Sequence, residues 1–357
     1  MEQLEALYES PPSLNGFVDR KYEIPSYTLN IHGPPRSGKS WLVIDFLSRL
    51  PRKKYLYVDL RDLRIDKKAL VLHLERFIAK KGIETLVLDH FDANFDPPEC
   101  QQLVTVTRAP WRPNPLMPLL EISSLDFEEY LAFERRHVNL EHSFSLYLRT
   151  GALPEMAQES DTTLTIRHHA VTRSLFPDST DLTIWRHLCR YQGKPFTPHQ
   201  LYTQLKKAYK ISKDRLYATL KRWETEGLFT GVPKLGQKRG SRRLLFFDFA
   251  LPASLYFEKS LMGQLRTLAA RHRLKRHLDC AYTDTIDLVD LQAKEAIFIS
   301  PFATAQSSAA KIARTIEKLE KLGMEKITIL TISNAFAFTF DTLPITGRPI
   351  YEWLLED

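Results

Sequence analysis

YTLNIH (Tyr27–His32), GPPRSGKS (Gly33–Ser40) and WLVIDFLSRL (Trp41–Leu50) form one continuous stretch, and its reading decides the fold. The first run is apolar and partly β-branched, as a buried strand requires. The last repeats apolar residues at helical spacing. Between strand and helix lies the pattern G-x-x-x-x-G-K-[ST], in the context that gives it meaning. Gly33 and Gly38 let the backbone curl, so that successive N–H groups point at phosphate oxygens. A helix starting near Lys39 adds its positive dipole end. Lys39 suits the β- and γ-phosphates, and the Ser40 hydroxyl suits magnesium. The stretch predicts a P-loop that binds ATP with Mg2+ through Gly33, Pro34, Pro35, Arg36, Ser37, Gly38, Lys39 and Ser40.

Working outward, KYLYVD (Lys54–Asp59) predicts the next strand and ALVLHLERFIAKK (Ala69–Lys81) an amphipathic helix. TLVLD (Thr85–Asp89) predicts a buried strand ending in a carboxylate, the Walker B pattern, in which Asp89 holds the metal through water. A strand-end aspartate that merely caps a turn is the alternative. LVTVT (Leu103–Thr107) predicts a further strand, and Arg108 and Arg112 follow it. Either arginine suits a γ-phosphate; both equally suit the surface of the Pro-rich loop beside them.

Charge is unevenly distributed. The chain of 357 residues carries +7 overall, but Asp181–Ala250 alone holds 15 Lys plus Arg against 5 Asp plus Glu. That segment also has the order of a winged helix-turn-helix. LTIWRHLCRY (Leu182–Tyr191) is amphipathic, Thr197-Pro198 opens a second helix, and Ser212 caps a third that Gly227 stops. TGVPKLGQKRGSRRLLFFDF then reads as a hairpin around a basic turn. Lys213, Arg215, Lys221 and Arg222 on the third helix, with Lys238, Arg239, Arg242 and Arg243 at the wing, are the candidate contacts to duplex DNA. A module docking a protein partner is the competing reading.

Hydrophobic residues at 43% and charged residues at 26% predict a globular chain. Cys100, Cys189 and Cys280 lack the spacing of a zinc site or disulfide framework. No apolar run reaches the roughly 20 residues of a membrane span, and the N-terminus lacks the pattern of a signal peptide. A cytoplasmic location and no membrane partner are expected.

GPPRSGKS, TLVLDHFD, LDFEEYL (Leu125–Leu131) and YLRTGALPE (Tyr147–Glu155) together resemble one family of AAA+-like ATPases of bacteria and archaea, over most of residues 14–175. Phe17-Val18-Asp19-Arg20 resembles the family's segment where adenine packs. The resemblance implies an ATPase with Asp89 at the metal and a polar sensor, for which Thr107 stands. Ala152 replaces a family glycine, and the short spacing from Tyr130 to Tyr147 implies a reduced lid. Many AAA+ ATPases have Glu directly after the Walker B Asp; here stand His90 and, two residues on, Asp92, which are the catalytic candidates beside Asp89. A histidine there implies slow or partner-stimulated hydrolysis.

The resemblance also implies a C-terminal domain like PD-(D/E)xK nucleases. From Ser254 the sequence predicts a helix to about His272, strands near Asp279–Tyr282, Thr285–Leu291 and Glu295–Ser300, a helix Ala303–Leu322, and strands Lys326–Ile332 and Phe336–Phe340. Asp287, with Glu258 as a helix acid, is the nearest to nuclease chemistry, but AIFISPF lacks the Glu and Lys that metal-dependent cleavage needs. The expected architecture is α/β: a P-loop domain over 1–175, a winged helix over 176–250, and a non-cleaving nuclease-like domain over 251–357.

Overall fold

The computed structural model describes residues 1–14, 18–134, 138–159, 162–237, 240–257, 260–276 and 278–356. The fold is mixed α/β and divides into two compact units: Met1–Ser124 with Thr225–Gly227, and Leu125–Glu224 with Leu228–Asp357.

In chain order the first unit contains α1 (Glu2–Glu9), β1 (Leu29–His32), α2 (Lys39–Ser48), β2 (Tyr55–Asp59), α3 (Lys67–Lys81), β3 (Thr85–Asp89), β4 (Gln102–Val106) and β5 (Leu119–Glu121). The five strands make one parallel sheet in the order β2-β3-β4-β1-β5. Every residue of β1 and β3 is buried. Near-continuous apolar strands are what a parallel sheet needs when helices cover both faces. The period of two sorts the side chains. Leu86 and Leu88 pack with Leu4 of α1 and Leu70, Leu74 and Phe77 of α3, whereas Val87 packs with Leu42 and Val43 of α2. Asp66 caps α3 by accepting from the N–H groups of Lys68 and Ala69.

The strand order fixes where a ligand can sit. β1 leads through α2 to β2 at one edge, and β4 leads to β5 at the other. β1 and β4 are neighbours, so the chain's direction of travel reverses between them. A crevice opens at the carboxyl ends of strands at such a switch point.

The second unit contains α4 (Phe127–Phe133), α5 (Leu140–Thr150), α6 (Leu164–Leu175), α7 (Ser179–Leu188), β6 (Pro195–Phe196), α8 (Pro198–Ala208), α9 (Lys213–Thr225), β7 (Phe229–Pro233), β8 (Arg242–Phe246), α10 (Ala250–Ser254) and α11 (Leu261–Lys275). It continues with β9 (Leu288–Asp290), β10 (Glu295–Ile299), α12 (Ala305–Ala313), α13 (Ile316–Lys321), β11 (Lys326–Thr331), β12 (Phe336–Phe340), β13 (Leu343–Pro349) and α14 (Ile350–Trp353). Thr197 and Gln200 form a reciprocal capping box at α8, where sequence places the helix start. β7 and β8 pair antiparallel, with β6 added to β8. A mixed sheet has the order β12-β13-β11-β10-β9.

Several features differ from the sequence expectations; the strand expected near Asp279–Tyr282 is present only as isolated bridges at Ala281 and Tyr282. Residues 125–175, assigned to the first domain by resemblance, pack in the second unit: Phe127, Tyr130, Phe144 and Tyr147 share a core with Phe249, Leu265 and Ile297. The expected helix Ala303–Leu322 breaks into α12 and α13, because Thr315 leaves helical geometry at φ −120° and ψ −5°. LPITGRP forms β13, between β11 and β12, although two prolines argue against an inner strand. Those prolines lie at or next to its ends, and Gly347 accommodates the Phe336 ring, which would lie 2.3 Å from an added Cβ. Among the described residues no helix is long and apolar enough to cross a membrane.

Candidate functional site

β1 ends at His32, and the chain turns at once into the loop Gly33–Gly38. Gly33 (φ 139°), Arg36 (φ 64°) and Gly38 (φ 91°) all have positive φ. Gly33 has a second constraint: a Cβ there would stand 2.2 Å from the Ile122 carbonyl oxygen. Gly38 then serves as the N-cap of α2 and offers no side-chain bond to the first turn. The helix's first N–H groups are left for an external acceptor.

The loop wraps its own lysine. Lys39 is 8% exposed, and its Nζ donates to the carbonyl oxygens of Gly33 at 2.8 Å and Pro34 at 2.7 Å. Among the described residues no carboxylate lies within 4 Å of it. Burial pushes its pKa down to about 7; the charge of Asp89 works the other way, and Arg108 and Arg61 add to the fall. Ser37 is fully buried, and its Oγ has no hydrogen-bond partner. Both features are expensive in a site that exists only for folding. Ser40 is half-buried on the first turn of α2, Pro34 is buried, and Arg36 is exposed. Arg20 holds the loop from outside, donating to the carbonyl oxygens of Ser37 at 2.6 Å and Ser123 at 2.9 Å.

The far side of the site comes from the ends of β2 and β3. Their register pairs Asp59 with Asp89. Asp89 is fully buried; its Oδ2 accepts from Tyr57 Oη at 2.7 Å and its Oδ1 from the His90 N–H at 2.7 Å. Burial and the Asp89 carboxylate push the Tyr57 hydroxyl upward, so it stays a donor. His90 has φ 56°, and its Nδ1 lies 2.8 Å from Asp59 Oδ1 and 3.3 Å from Asp89 Oδ1. Asp92 turns to Lys67 on α3 at 2.9 Å; burial raises its pKa, but the Lys67 hydrogen bond and charge together with the Asn94 N–H bring it below the usual value.

Thr107 is buried just past β4. Its Oγ1 donates to the Ala109 carbonyl at 2.6 Å and accepts from Asn30 Nδ2 at 3.0 Å. Asn30 also receives the Trp111 N–H at 3.0 Å. Thr107 therefore fastens the start of the Pro-rich loop to β1. Arg108 and Arg112 are exposed.

Sequence reasoning missed Tyr57, Asp59, Arg61 and Asn30. For Asp59 a signal existed: YLYVD and TLVLD have equal length and both end in Asp, so parallel pairing in register brings the carboxylates side by side. Asn30 gave none, because a polar residue inside an apolar strand is interpretable only once its partners are known.

The basic candidates lie in the second unit. Lys213, Arg215, Lys221 and Arg222 are exposed on α9. Arg215 and Arg222 both reach Asp181 on α7, at 2.8 and 2.5 Å. Arg242 pairs with Glu224 at 2.6 Å. Arg243 corrects the expectation for the wing. Side chains alternate along β8, so Arg243 points inward, is 5% exposed, covers the Tyr282 ring at 4.4 Å and donates to the Asp287 carbonyl at 2.5 Å. It cannot touch a phosphate. Lys238 and Arg239 lie outside the described residues, as do Phe17 and Glu258.

Asp287, the nearest candidate for nuclease chemistry, is occupied. Its Oδ1 faces Arg266 Nε at 2.8 Å and Arg243 Nη1 at 3.5 Å, and its Oδ2 accepts from the Ile299 N–H at 2.9 Å. Comparison with known proteins returns no match for this chain, to a family model or to a curated sequence.

Proposed function

We propose that the protein binds ATP with magnesium at Gly33–Ser40 and hydrolyses it slowly, with nucleotide state coupled to binding of duplex DNA through α7–α9 and the β7–β8 hairpin. The observation that carries the nucleotide reading is Lys39, buried among carbonyl oxygens with no acid within 4 Å among the described residues. A polyphosphate supplies that missing charge. The orphaned Ser37 hydroxyl and the uncapped start of α2 fit the same ligand.

In this reading the loop amides and Lys39 bind the phosphates, while Ser40 and Asp89 hold the metal, Asp89 through water. The metal would neutralise charge on the β- and γ-phosphate oxygens. Tyr57 and the His90 N–H keep the Asp89 carboxylate oriented. Thr107 steadies the loop that carries Arg108. Asp92, bonded to Lys67, serves the turn rather than the reacting water.

A second reading has a specific observation behind it. Arg215, Arg222 and Arg242 already answer acids of their own unit, so the basic surface is less available to phosphates than its composition suggests. A nucleotide-gated module that docks a protein partner fits this better. Titration of ATP with and without duplex DNA, reading affinity and phosphate release, separates the two. Coupling means that DNA and ATP change each other's affinity by the same factor; no ATP binding removes the first reading outright.

A further inference from the structure

The strand-end pair Asp59 and His90 has a geometry that an ordinary turn does not need. Two carboxylate oxygens, Asp59 Oδ1 at 2.8 Å and Asp89 Oδ1 at 3.3 Å, face the same ring nitrogen, Nδ1. A lone pair on Nδ1 would point at two anions. A proton on Nδ1 turns both contacts into attraction. The hydrogen bond made by one ring nitrogen decides the state of the other, so Nε2 of the neutral ring is the acceptor. The backbone fixes both ends of the arrangement: the Asp59 carboxylate also accepts from the Arg61 N–H at 2.9 Å, and the left-handed turn at His90 brings its own N–H to Asp89.

We propose that Asp59 is a positioning residue, which locks His90 with Nδ1 as donor so that Nε2 accepts a hydrogen bond from the water that attacks the γ-phosphorus. This rests on the ATPase reading above, which puts the γ-phosphate beyond Asp89, and it explains how a histidine can serve at that place. His90 orients the water and does not need to keep its proton. As the water oxygen bonds to phosphorus, the bridging P–O bond breaks and its electron pair stays on ADP. The water's proton leaves on the inorganic phosphate. Without Asp59 the ring can turn or change tautomer, and the water loses its acceptor while nucleotide contacts remain.

The test has one readout free of turnover. Protein labelled with 15N-histidine, without nucleotide and at mildly alkaline pH, is examined by long-range 1H–15N correlation, with His90 assigned by comparison with His90→Gln. The expected wild-type spectrum shows His90 protonated on Nδ1, and Asp59→Ala moves the proton to Nε2. In turnover, Asp59→Ala should lower kcat by about 10- to 100-fold, the usual cost of losing an orienting partner, with KM unchanged. Asp59→Asn, whose amide oxygen still accepts from Nδ1, should recover most of the rate. A wild-type His90 protonated on Nε2 overturns the proposal. So does a loss in Asp59→Ala that appears in ATP affinity instead of kcat. Wild-type protein that shows the Nδ1 tautomer but fails to bind ATP in a direct titration sinks the ATPase reading, and the water with it.

Discussion

Two buried cations, one in each unit, are treated in opposite ways. Arg243 sits with Asp287 and the Tyr282 ring, so its charge is answered inside the fold, and its pKa falls only to about 10 despite burial and the like charge of Arg266. Lys39 is as deeply buried and, among the described residues, bonds to carbonyl oxygens alone, and its pKa falls to about 7. A buried charge that is paired belongs to the scaffold; one left unpaired is a cost that persists when a ligand compensates it. The same contrast separates Asp287, filled by three donors, from the Ser37 hydroxyl, which has no partner among the described residues. Substitution should therefore have opposite consequences in the two places.

The largest effect is expected at the paired site. Asp287→Ala strands Arg243 in the core and should destabilise the second unit by about 3–5 kcal/mol, read as a fall in the urea midpoint of its transition. A midpoint within error of wild type would show that the pair is not structural. At the unpaired site, Lys39→Ala should weaken ATP by about 100-fold, the scale of two charge-assisted hydrogen bonds, measured by calorimetry. The same variant should unfold at the wild-type temperature or above it. A melt as depressed as that of Asp287→Ala would erase the contrast.

A smaller effect follows from the Lys39 shift from 10.5 to about 7. Below about pH 7 the lysine is protonated in both states, and folding bears the full cost of burying its charge. Between about 7 and 10.5 the unfolded chain holds a proton that the folded chain lacks, so stability rises with pH across that window. Urea midpoints of wild type should climb there relative to Lys39→Met, and saturating nucleotide should flatten the climb. Parallel curves would mean that Lys39 is charged in the free protein. The smallest effect concerns the hairpin. If DNA binds, Arg242→Ala should lower the slope of affinity against salt by about one unit, and Arg243→Ala should leave that slope unchanged. Equal changes in both would place Arg243 at the DNA.

Much of the first unit was legible because local rules agreed with one another. TLVLD is apolar throughout and ends in a carboxylate, and it became β3 with the bounds expected. GPPRSGKS needs positive φ at its glycines, and Gly33 and Gly38 have it. In the second unit the helix start at Thr197 follows from a side chain that bonds the nearest free N–H. Legibility failed where partners were distant in sequence. Arg242 and Arg243 look alike on paper, and only the pairing of β8 with its neighbours sends one outward and the other into the core. β13 was hidden by prolines that its place in the sheet tolerates.

The sequence by itself determined the glycine-bearing loop between β1 and α2, the carboxylate at the end of β3 and the basic character of Asp181–Ala250, because each depends on residue type and spacing within a few positions. Tertiary structure decided the rest. It brought Asp59 to His90 across 31 residues, set Lys39 against the carbonyl oxygens of Gly33 and Pro34, matched Arg215 and Arg222 to Asp181, and gave residues 125–175 to the second unit. The physical reason is that burial and partner identity are properties of the folded chain: a charge can be counted along a sequence, but whether it is answered depends on what the fold puts within about 4 Å.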